Sequence, residues 1–251
     1  MNKNIFITGG TSEIGKSLIH KLAKNKCNIF FTYFKNLREA QSISKSLKQY
    51  NIHHNYTKMD LTKIVSINNA FNKFSNDFKK LNVFINNASP KIKRKKFLRL
   101  KDTDISVVME GLLIGNIVSL KKALDLILKS NSQTQSTIIN ISSYSAISGG
   151  KNIHLYAASK SALNTLATAL SNDTFRRKIK IVSIVPRHID TLSFRKNNNI
   201  KNKKDLILFQ KRKKIKRIRT PNEFAKFIYK KFTRELNTIQ KPIIYYDSFK
   251  H

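Results

Sequence analysis

The feature that most constrains this chain is a regular alternation of short β-forming runs with amphipathic helical stretches. Ile5–Thr8, Asn28–Tyr33, His54–Met59, Leu81–Ile85, Thr137–Ile141, Ile179–Val185 and Ile243–Tyr246 read as strands. Between them Ile14–Asn25, Leu37–Gln49, Ile64–Phe78, Asp104–Lys129, Leu155–Leu170 and Pro221–Lys231 read as helices. Ile14, Leu18, Leu22 and Ala23 lie close to helical spacing, and Ile64, Ile67, Phe71, Phe74 and Phe78 form one stripe. Pro221 opens its helix, where a missing N–H is tolerated. Strand–helix–strand units close through right-handed crossovers, so the expected fold is α/β and doubly wound, a parallel sheet with helices on both faces. No repeat or linker divides the 251 residues, and residues 1–251 are expected to form one domain. Ligands of such sheets lie outside the carboxyl ends of the strands. The residues to search are therefore 8–15, 33–36, 60, 86–101, 141–144 and 186–220.

Hydrophobic residues make up 40% of the chain. No run approaches the roughly 20 apolar residues of a membrane helix, so no membrane span is expected. Cys27 is the only cysteine, which excludes an intramolecular disulfide and points to a reducing compartment. Met1-Asn2-Lys3-Asn4 leads straight into Ile5-Phe6-Ile7 without a secretory pattern, so a cytoplasmic location is expected. Forty-nine Lys+Arg against 14 Asp+Glu give +35, which invites nucleic acid, anionic membrane or an acidic partner. Yet Lys outnumbers Arg 38 to 11, with 32 Ile, 26 Asn and only 12 Ala. Lys, Asn and Ile are written with A/T-rich codons, and a strong A/T mutational bias would produce most of these lysines without any polyanion, which is the rival reading of the charge. Lys16, Lys21, Lys24, Lys45 and Lys48 are spread along helices, as on a solvated surface. Two stretches are denser. Lys91–Lys101 holds seven cations in 11 residues, and Lys201–Arg219 holds ten in 19 against one acid, Asp205. No nucleic-acid motif accompanies them and no row of stacking aromatics, so nucleic acid is not expected. No metal is expected either.

The first strand ends in Thr8-Gly9-Gly10-Thr11-Ser12-Glu13-Ile14-Gly15 and runs into a helix. Such a turn lets backbone N–H groups approach a diphosphate, and the helix dipole favours its charge. A plain structural turn is the rival reading. Asn86-Asn87-Ala88-Ser89 stands at the end of the fourth strand and Ser142-Ser143 after the fifth. Tyr156 lies 13 residues beyond Ser143, and Lys160 four further on. Pro186-Arg187-His188-Ile189-Asp190-Thr191 follows the sixth strand. Tyr156 and Lys160, at i and i+4, are neighbours on one helical face. A tyrosine hydroxyl titrates near ~10 when unperturbed. An adjacent ammonium is expected to lower that value toward the range of an acid–base catalyst. Ser143 can hydrogen-bond a substrate oxygen and stabilise its developing charge. The rival readings are a surface pair for Tyr156 and Lys160, and a turn-capping serine.

In this order and spacing the chain resembles the short-chain dehydrogenase/reductase family over roughly residues 3–246, its 3-oxoacyl-acyl-carrier-protein reductases included. The resemblance implies a Rossmann-like, mainly parallel seven-stranded sheet of order 3-2-1-4-5-6-7. It implies catalysis by Ser143, Tyr156 and Lys160. Tyr156 would donate a proton as hydride reaches a carbonyl carbon, and Lys160 would also hold the nicotinamide ribose. It implies a cofactor held by Gly9, Thr11, Ser12, Ile14, Gly15, Tyr33, Lys35, Asp60, Leu61, Asn87, Ala88, Tyr156, Lys160, Pro186, Ile189 and Thr191. Asp60 matches a residue that contacts the adenine, with a helix N-cap as the rival reading. Asn86 and Ala88 match positions lining the adenosine side, against a purely structural role. Ile189 and Thr191 match positions that meet the nicotinamide amide. The segment around 190–220 would be a substrate lid. Assembly into a homodimer or homotetramer is implied through residues 104–129 and the Tyr156 helix. Leu155, Ala162, Leu163, Leu166 and Leu170 serve that interface or the core.

NAD-preferring sites of this type place an acid at the end of the second strand. Here Phe31-Thr32-Tyr33-Phe34-Lys35-Asn36 has none, and an ammonium at Lys35 suits a 2′-phosphate. NADP(H) is expected in preference to NAD(H). Four departures from the family pattern stand out. Glu13 replaces the middle glycine of the turn, where a carboxylate could repel the diphosphate. Aligning Gly115 with the family glycine puts Leu112, not Asn116, at the place of an asparagine that relays protons through the lysine. Ser89 and Arg187 replace glycines. Ile243-Ile244-Tyr245-Tyr246-Asp247-Ser248 lacks the glycines usual around the last strand.

The function expected is NADP(H)-dependent reduction of a carbonyl to an alcohol, the substrate a small molecule or a 3-oxoacyl thioester on an acyl carrier protein. Cations at a cleft mouth raise the on-rate of anionic ligands of this kind. The alternatives are reduction of another small carbonyl or a pterin, and a catalytically decayed relative that binds a polyanion.

Overall fold

The computed structural model describes residues 2–130, 135–174, 176–234 and 241–246. Strands β1 (Asn4–Ile7), β2 (Asn28–Tyr33), β3 (His54–Lys58), β4 (Val83–Asn86), β5 (Ser136–Ile141), β6 (Ile179–Pro186) and β7 (Ile243–Tyr246) form one sheet. Every pairing is parallel and the order is β3-β2-β1-β4-β5-β6-β7, as expected. The helices are α1 (Glu13–Lys24), α2 (Leu37–Leu47), α3 (Ile64–Asp77), α4 (Asp102–Met109), α5 (Gly115–Lys129), α6 (Ser145–Ser148), α7 (His154–Asp173), α8 (Leu192–Asn197), α9 (Lys203–Arg212) and α10 (Pro221–Arg234). Asp247 and Ser248 lie outside the described residues.

The inner strands read as largely apolar runs because both sheet faces are covered there, whereas edge strand β3 is polar and half-buried. Successive side chains point to opposite faces. Ile5 and Ile7, Ile29 and Phe31, Val83 and Ile85, and Val182 and Ile184 pack with Leu18, Ile19 and Leu22 of α1 and Phe224 and Ile228 of α10. Phe6, Phe30, Phe84, Ile138 and Ile181 point the other way, onto Phe71 and Phe74 of α3, Leu120 of α5 and Leu163 of α7. Phe6 is the hub of that second core. Its ring centroid lies 4.8 Å from Phe30, 4.7 Å from Phe71 and 5.5 Å from Phe84. Leu163 is fully buried there, whereas Ala162 is exposed.

The helix expected over 104–129 is present from 102 to 129, but it is not uniformly α. Residues 110–114 make a π-turn between α4 and α5. A π-turn misaligns the local hydrogen-bond ladder. Asn116 compensates, its Nδ2 donating to Leu112 O at 2.9 Å and Gly111 O at 3.3 Å. Gly115 rests on the backbone beneath it, since a Cβ there would stand 2.0 Å from Leu61 O. The 190–220 segment, which the sequence reading left without elements, holds α8 and α9 around a small core of Ile200, Phe209, Ile215 and Ile218.

Candidate active site

All seven strands run the same way, so the loops after β1, β4, β5 and β6 leave from one edge of the sheet. A buried polar line crosses just beneath that edge. Thr8 Oγ1 bonds Asn86 Oδ1 at 3.4 Å, Asn86 Nδ2 donates to Asn140 Oδ1 at 3.1 Å, and Asn140 Nδ2 donates to Ser183 Oγ at 3.3 Å. Buried polar groups must be bonded, so this line locks four strand ends together. It also places Asn86. Asn86 is only 1% exposed and bonded on both sides, which favours its structural reading.

The glycine turn is tied to the same edge. Asn87 Nδ2 donates to Thr8 O, Gly9 O and Ser12 Oγ at 2.9, 3.1 and 3.2 Å. Ala88 N donates to Thr8 Oγ1 at 2.9 Å. Ser12 caps α1 by accepting from Gly15 N at 3.1 Å. Gly9 has φ +67°, and a Cβ on it would lie 2.9 Å from Ala88 Cα; one on Gly15 would lie 2.4 Å from Gly9 O. The turn is bare backbone at the start of a helix, and that cradle fits a diphosphate. Glu13 departs from this pattern. Its side chain crosses to the 190–220 segment, where Oε2 accepts from Leu192 N at 2.7 Å.

Ser143 follows β5, while Tyr156 and Lys160 stand on the first turns of α7. The Ser143 side chain lies close enough to the Tyr156 hydroxyl to favour its charged form, while Ser143 Oγ itself accepts from Ser145 N at 3.2 Å. Lys160 is buried, its Nζ donating to Ile141 O at 2.8 Å and lying 5.9 Å from the Tyr156 ring centroid. The three side chains expected to act together are thus together. The expected electrostatics are overturned. Burial raises the Tyr156 phenol above its usual value, and the nearby Ser143 hydroxyl offsets this only in part. Burial lowers Lys160 from 10.5 to about 8. Desolvation disfavours both charged forms, and it outweighs the attraction expected between ammonium and phenolate. The phenol therefore stays protonated, which is the form a proton donor needs.

Beyond the ends of β2 and β3 a hollow is lined by Tyr33, Phe34, Lys35, Leu37 and Lys58. Tyr33 and Lys35, both expected at the cofactor, line the same hollow. Lys58, the exposed register partner of Tyr33, lines it as well and is not among the residues expected from the sequence. Asp60 is not an N-cap. Its Oδ1 accepts from Thr62 N at 3.0 Å and Thr62 Oγ1 at 2.8 Å, while α3 begins after Lys63. Leu61 is 7% exposed and belongs to the second core. Thr11 and Ile14 are half-buried on the turn, and Pro186 ends β6. Ile189 is buried and bridges to Arg219, and Thr191 caps α8 by accepting from Phe194 N at 3.1 Å. At the asparagine position of the family, Leu112 is fully buried.

A family model described as short chain dehydrogenase matches residues 3–202. The NADP-dependent 3-hydroxy acid dehydrogenase of Schizosaccharomyces pombe is 26% identical over 239 residues, 94% of this chain and 89% of that one. The 3-oxoacyl-[acyl-carrier-protein] reductase of Chlamydia trachomatis is 26% identical over 230 residues, 90% and 88% of the two chains. A short-chain dehydrogenase from Burkholderia cenocepacia, solved in complex with NADP, superposes with a TM-score of 0.83 at 20% identity over 98% of this chain and 96% of that one. This chain belongs to the short-chain dehydrogenase family of NAD(P)-binding oxidoreductases.

Proposed function

We propose that the chain is an NADP(H)-dependent reductase that converts the ketone of a 3-oxoacyl thioester to an alcohol. The observation that carries this reading is the gathering of Ser143, Tyr156 and buried Lys160 at the carboxyl edge of the sheet, the Lys160 ammonium anchored on Ile141 O and 5.9 Å from the Tyr156 ring centroid. The glycine turn would hold the cofactor's diphosphate, Lys35 and Lys58 its 2′-phosphate, and Lys160 its ribose. When bound, the dihydronicotinamide supplies the hydride. Ser143 orients the carbonyl oxygen and stabilises its growing charge. Tyr156, held protonated by burial, gives that oxygen its proton. Its own proton returns from solvent by a path that does not use an asparagine at Leu112.

The substrate class rests on two supports. The two relatives are named for a 3-hydroxy acid and for a 3-oxoacyl-[acyl-carrier-protein], both oxygenated at carbon 3. The edge that carries the candidate triad also carries the two cation-rich stretches, since Lys91–Lys101 follows β4 and Lys201–Arg219 follows β6. The first reaches the start of α7, where the Phe97 ring lies 5.4 Å from His154. Leu98 on the same stretch is 96% exposed, an apolar surface among cations that suits an acyl chain on an anionic carrier. We further propose a reducing, cytoplasmic setting. We also propose a homodimer or homotetramer using Val107, Ile114 and Ile117, which are exposed on α4, the π-turn and α5. No helix among the described residues is long and apolar enough to cross a membrane.

The test is a panel of 3-oxoacyl thioesters, small ketones, aldehydes and pterins, each with NADPH and NADH. Fastest turnover of a 3-oxoacyl thioester with NADPH is expected. Turnover confined to another carbonyl class would overturn the substrate assignment, and none with any pair would overturn the reading as a reductase.

A further inference from the structure

We infer that Glu13 is a positioning residue that latches the 190–220 segment onto the cofactor turn and holds the same helix end that the diphosphate needs, so segment order and cofactor affinity oppose one another. The inference deepens the reading above and rests on it for the identity of the ligand.

Glu13 is the first residue of α1, one place beyond the Ser12 cap. The N-terminus of a helix attracts an anion through its partial positive charge. In a glycine-turn site that anion is the diphosphate. Here the chain provides its own. The carboxylate reaches 179 positions along the sequence and accepts from Leu192 N at 2.7 Å. Leu192 opens α8 immediately after Thr191, a position expected at the nicotinamide. The latch thus spans from the diphosphate end of the cleft to the nicotinamide end.

The surroundings reinforce the contact. Arg195 of α8 is gripped by Asp190 through two bonds, Nε to Oδ1 at 2.6 Å and Nη2 to Oδ2 at 2.7 Å. Glu13 adds a smaller attraction to that of Asp190 for the Arg195 guanidinium. Asp190 N donates to Arg219 O at 2.8 Å, and Arg219 Nη1 bonds Glu223 Oε1 of α10 at 3.2 Å. The far end of the segment is therefore moored to α10, and Glu13 moors the near end to α1. A bound diphosphate would bring like charge beside this carboxylate, and the two either repel or exchange places.

Two readouts that need no substrate test this in cofactor-free and cofactor-titrated protein. Glu13→Gly removes both charge and acceptor. Glu13→Gln removes the charge but keeps an acceptor for Leu192 N. NADPH dissociation constants come from fluorescence titration, and segment order from trypsin, for which residues 201–219 offer ten cleavage positions. Glu13→Gly should bind NADPH about tenfold more tightly, and its cofactor-free form should be cut in the segment several-fold faster. Glu13→Gln should recover the protection while retaining part of the tighter binding. Affinity unchanged or weakened in both variants overturns the competition. Trypsin rates equal to wild type in Glu13→Gly overturn the latch. A wild type that binds neither NADPH nor NADH sinks the cofactor reading instead, and the trypsin arm still decides the latch. Should the glycine variant fail to fold, Glu13→Gln decides both: it must bind NADPH more tightly and match wild type against trypsin, and a miss on either overturns that half.

Discussion

Lys160 directs its ammonium to the carbonyl of Ile141, 2.8 Å away, rather than to the hydroxyl of Tyr156. Two consequences follow for a buried cation with one anchoring bond. Its position is fixed before any ligand arrives. Its charge is also expensive, which is why it titrates at about 8 instead of 10.5.

That lowering makes stability depend on pH in a known direction. Between the folded value of about 8 and the unfolded 10.5, the unfolded chain holds a proton at Lys160 that the folded chain has released. Stability therefore rises with pH across this window, and the penalty is fully present below it. Measured as the difference between wild type and Lys160→Met, denaturant stability should shift by about 2 kcal/mol toward wild type from pH 7.5 to 9.5. Parallel pH profiles for the two proteins would contradict the burial of a charged Lys160.

The cofactor cradle depends on two glycines that tolerate no side chain. Gly15→Ala places a methyl 2.4 Å from Gly9 O, so either the turn or α1 has to move. Overpacking of this kind costs roughly 1–3 kcal/mol. Calorimetric unfolding should report a loss in that range, together with weaker NADPH binding. A variant with unaltered stability and affinity would show that the turn is looser than described.

Lys35 and Lys58 line one hollow at the ends of β2 and β3. If they meet a 2′-phosphate, the double variant Lys35→Ala/Lys58→Ala loses NADPH affinity by about tenfold or more while NADH changes little. The salt dependence of NADPH binding should flatten in the same variant. An equal loss for both cofactors would mean that these residues do not discriminate between them.

In the second core, Phe6 contacts four other phenylalanines. Phe6→Ala leaves a cavity between the sheet and α3 and should cost about 3–5 kcal/mol of unfolding free energy. A loss under 1 kcal/mol would mean that the site collapses around the missing ring.

Much of this was legible in the sequence, for identifiable reasons. Phe6 and its neighbours Ile5 and Ile7 are apolar on both faces, which only a doubly covered sheet satisfies, and turn and helix spacing then gave the strand order through the family resemblance. Ser143, Tyr156 and Lys160 were legible because their chemistry requires fixed spacing along one loop and one helix. What stayed hidden is tertiary. No local pattern shows that Lys160 finds the carbonyl of a residue 19 positions earlier, and so the phenol was expected to be acidified when burial in fact raises it. The π-turn escaped because the apolar stripe runs on through it into α5, and its compensation comes from a side chain, Asn116. In α9 the dense lysines mask a stripe that buries little beyond Phe209. Glu13 read as a misfit in the turn because its partner, Leu192, is most of the chain away.

Central to this reading is the protonated Tyr156 hydroxyl, close to the Ser143 side chain, as the proton donor. The most direct measurement is the turnover of Tyr156→Phe with saturating NADPH and a 3-oxoacyl thioester, alongside its NADPH affinity and melting temperature. The account predicts a fall in turnover of roughly 10²–10⁴-fold with cofactor affinity and fold retained. Turnover equal to that of the wild type would contradict it.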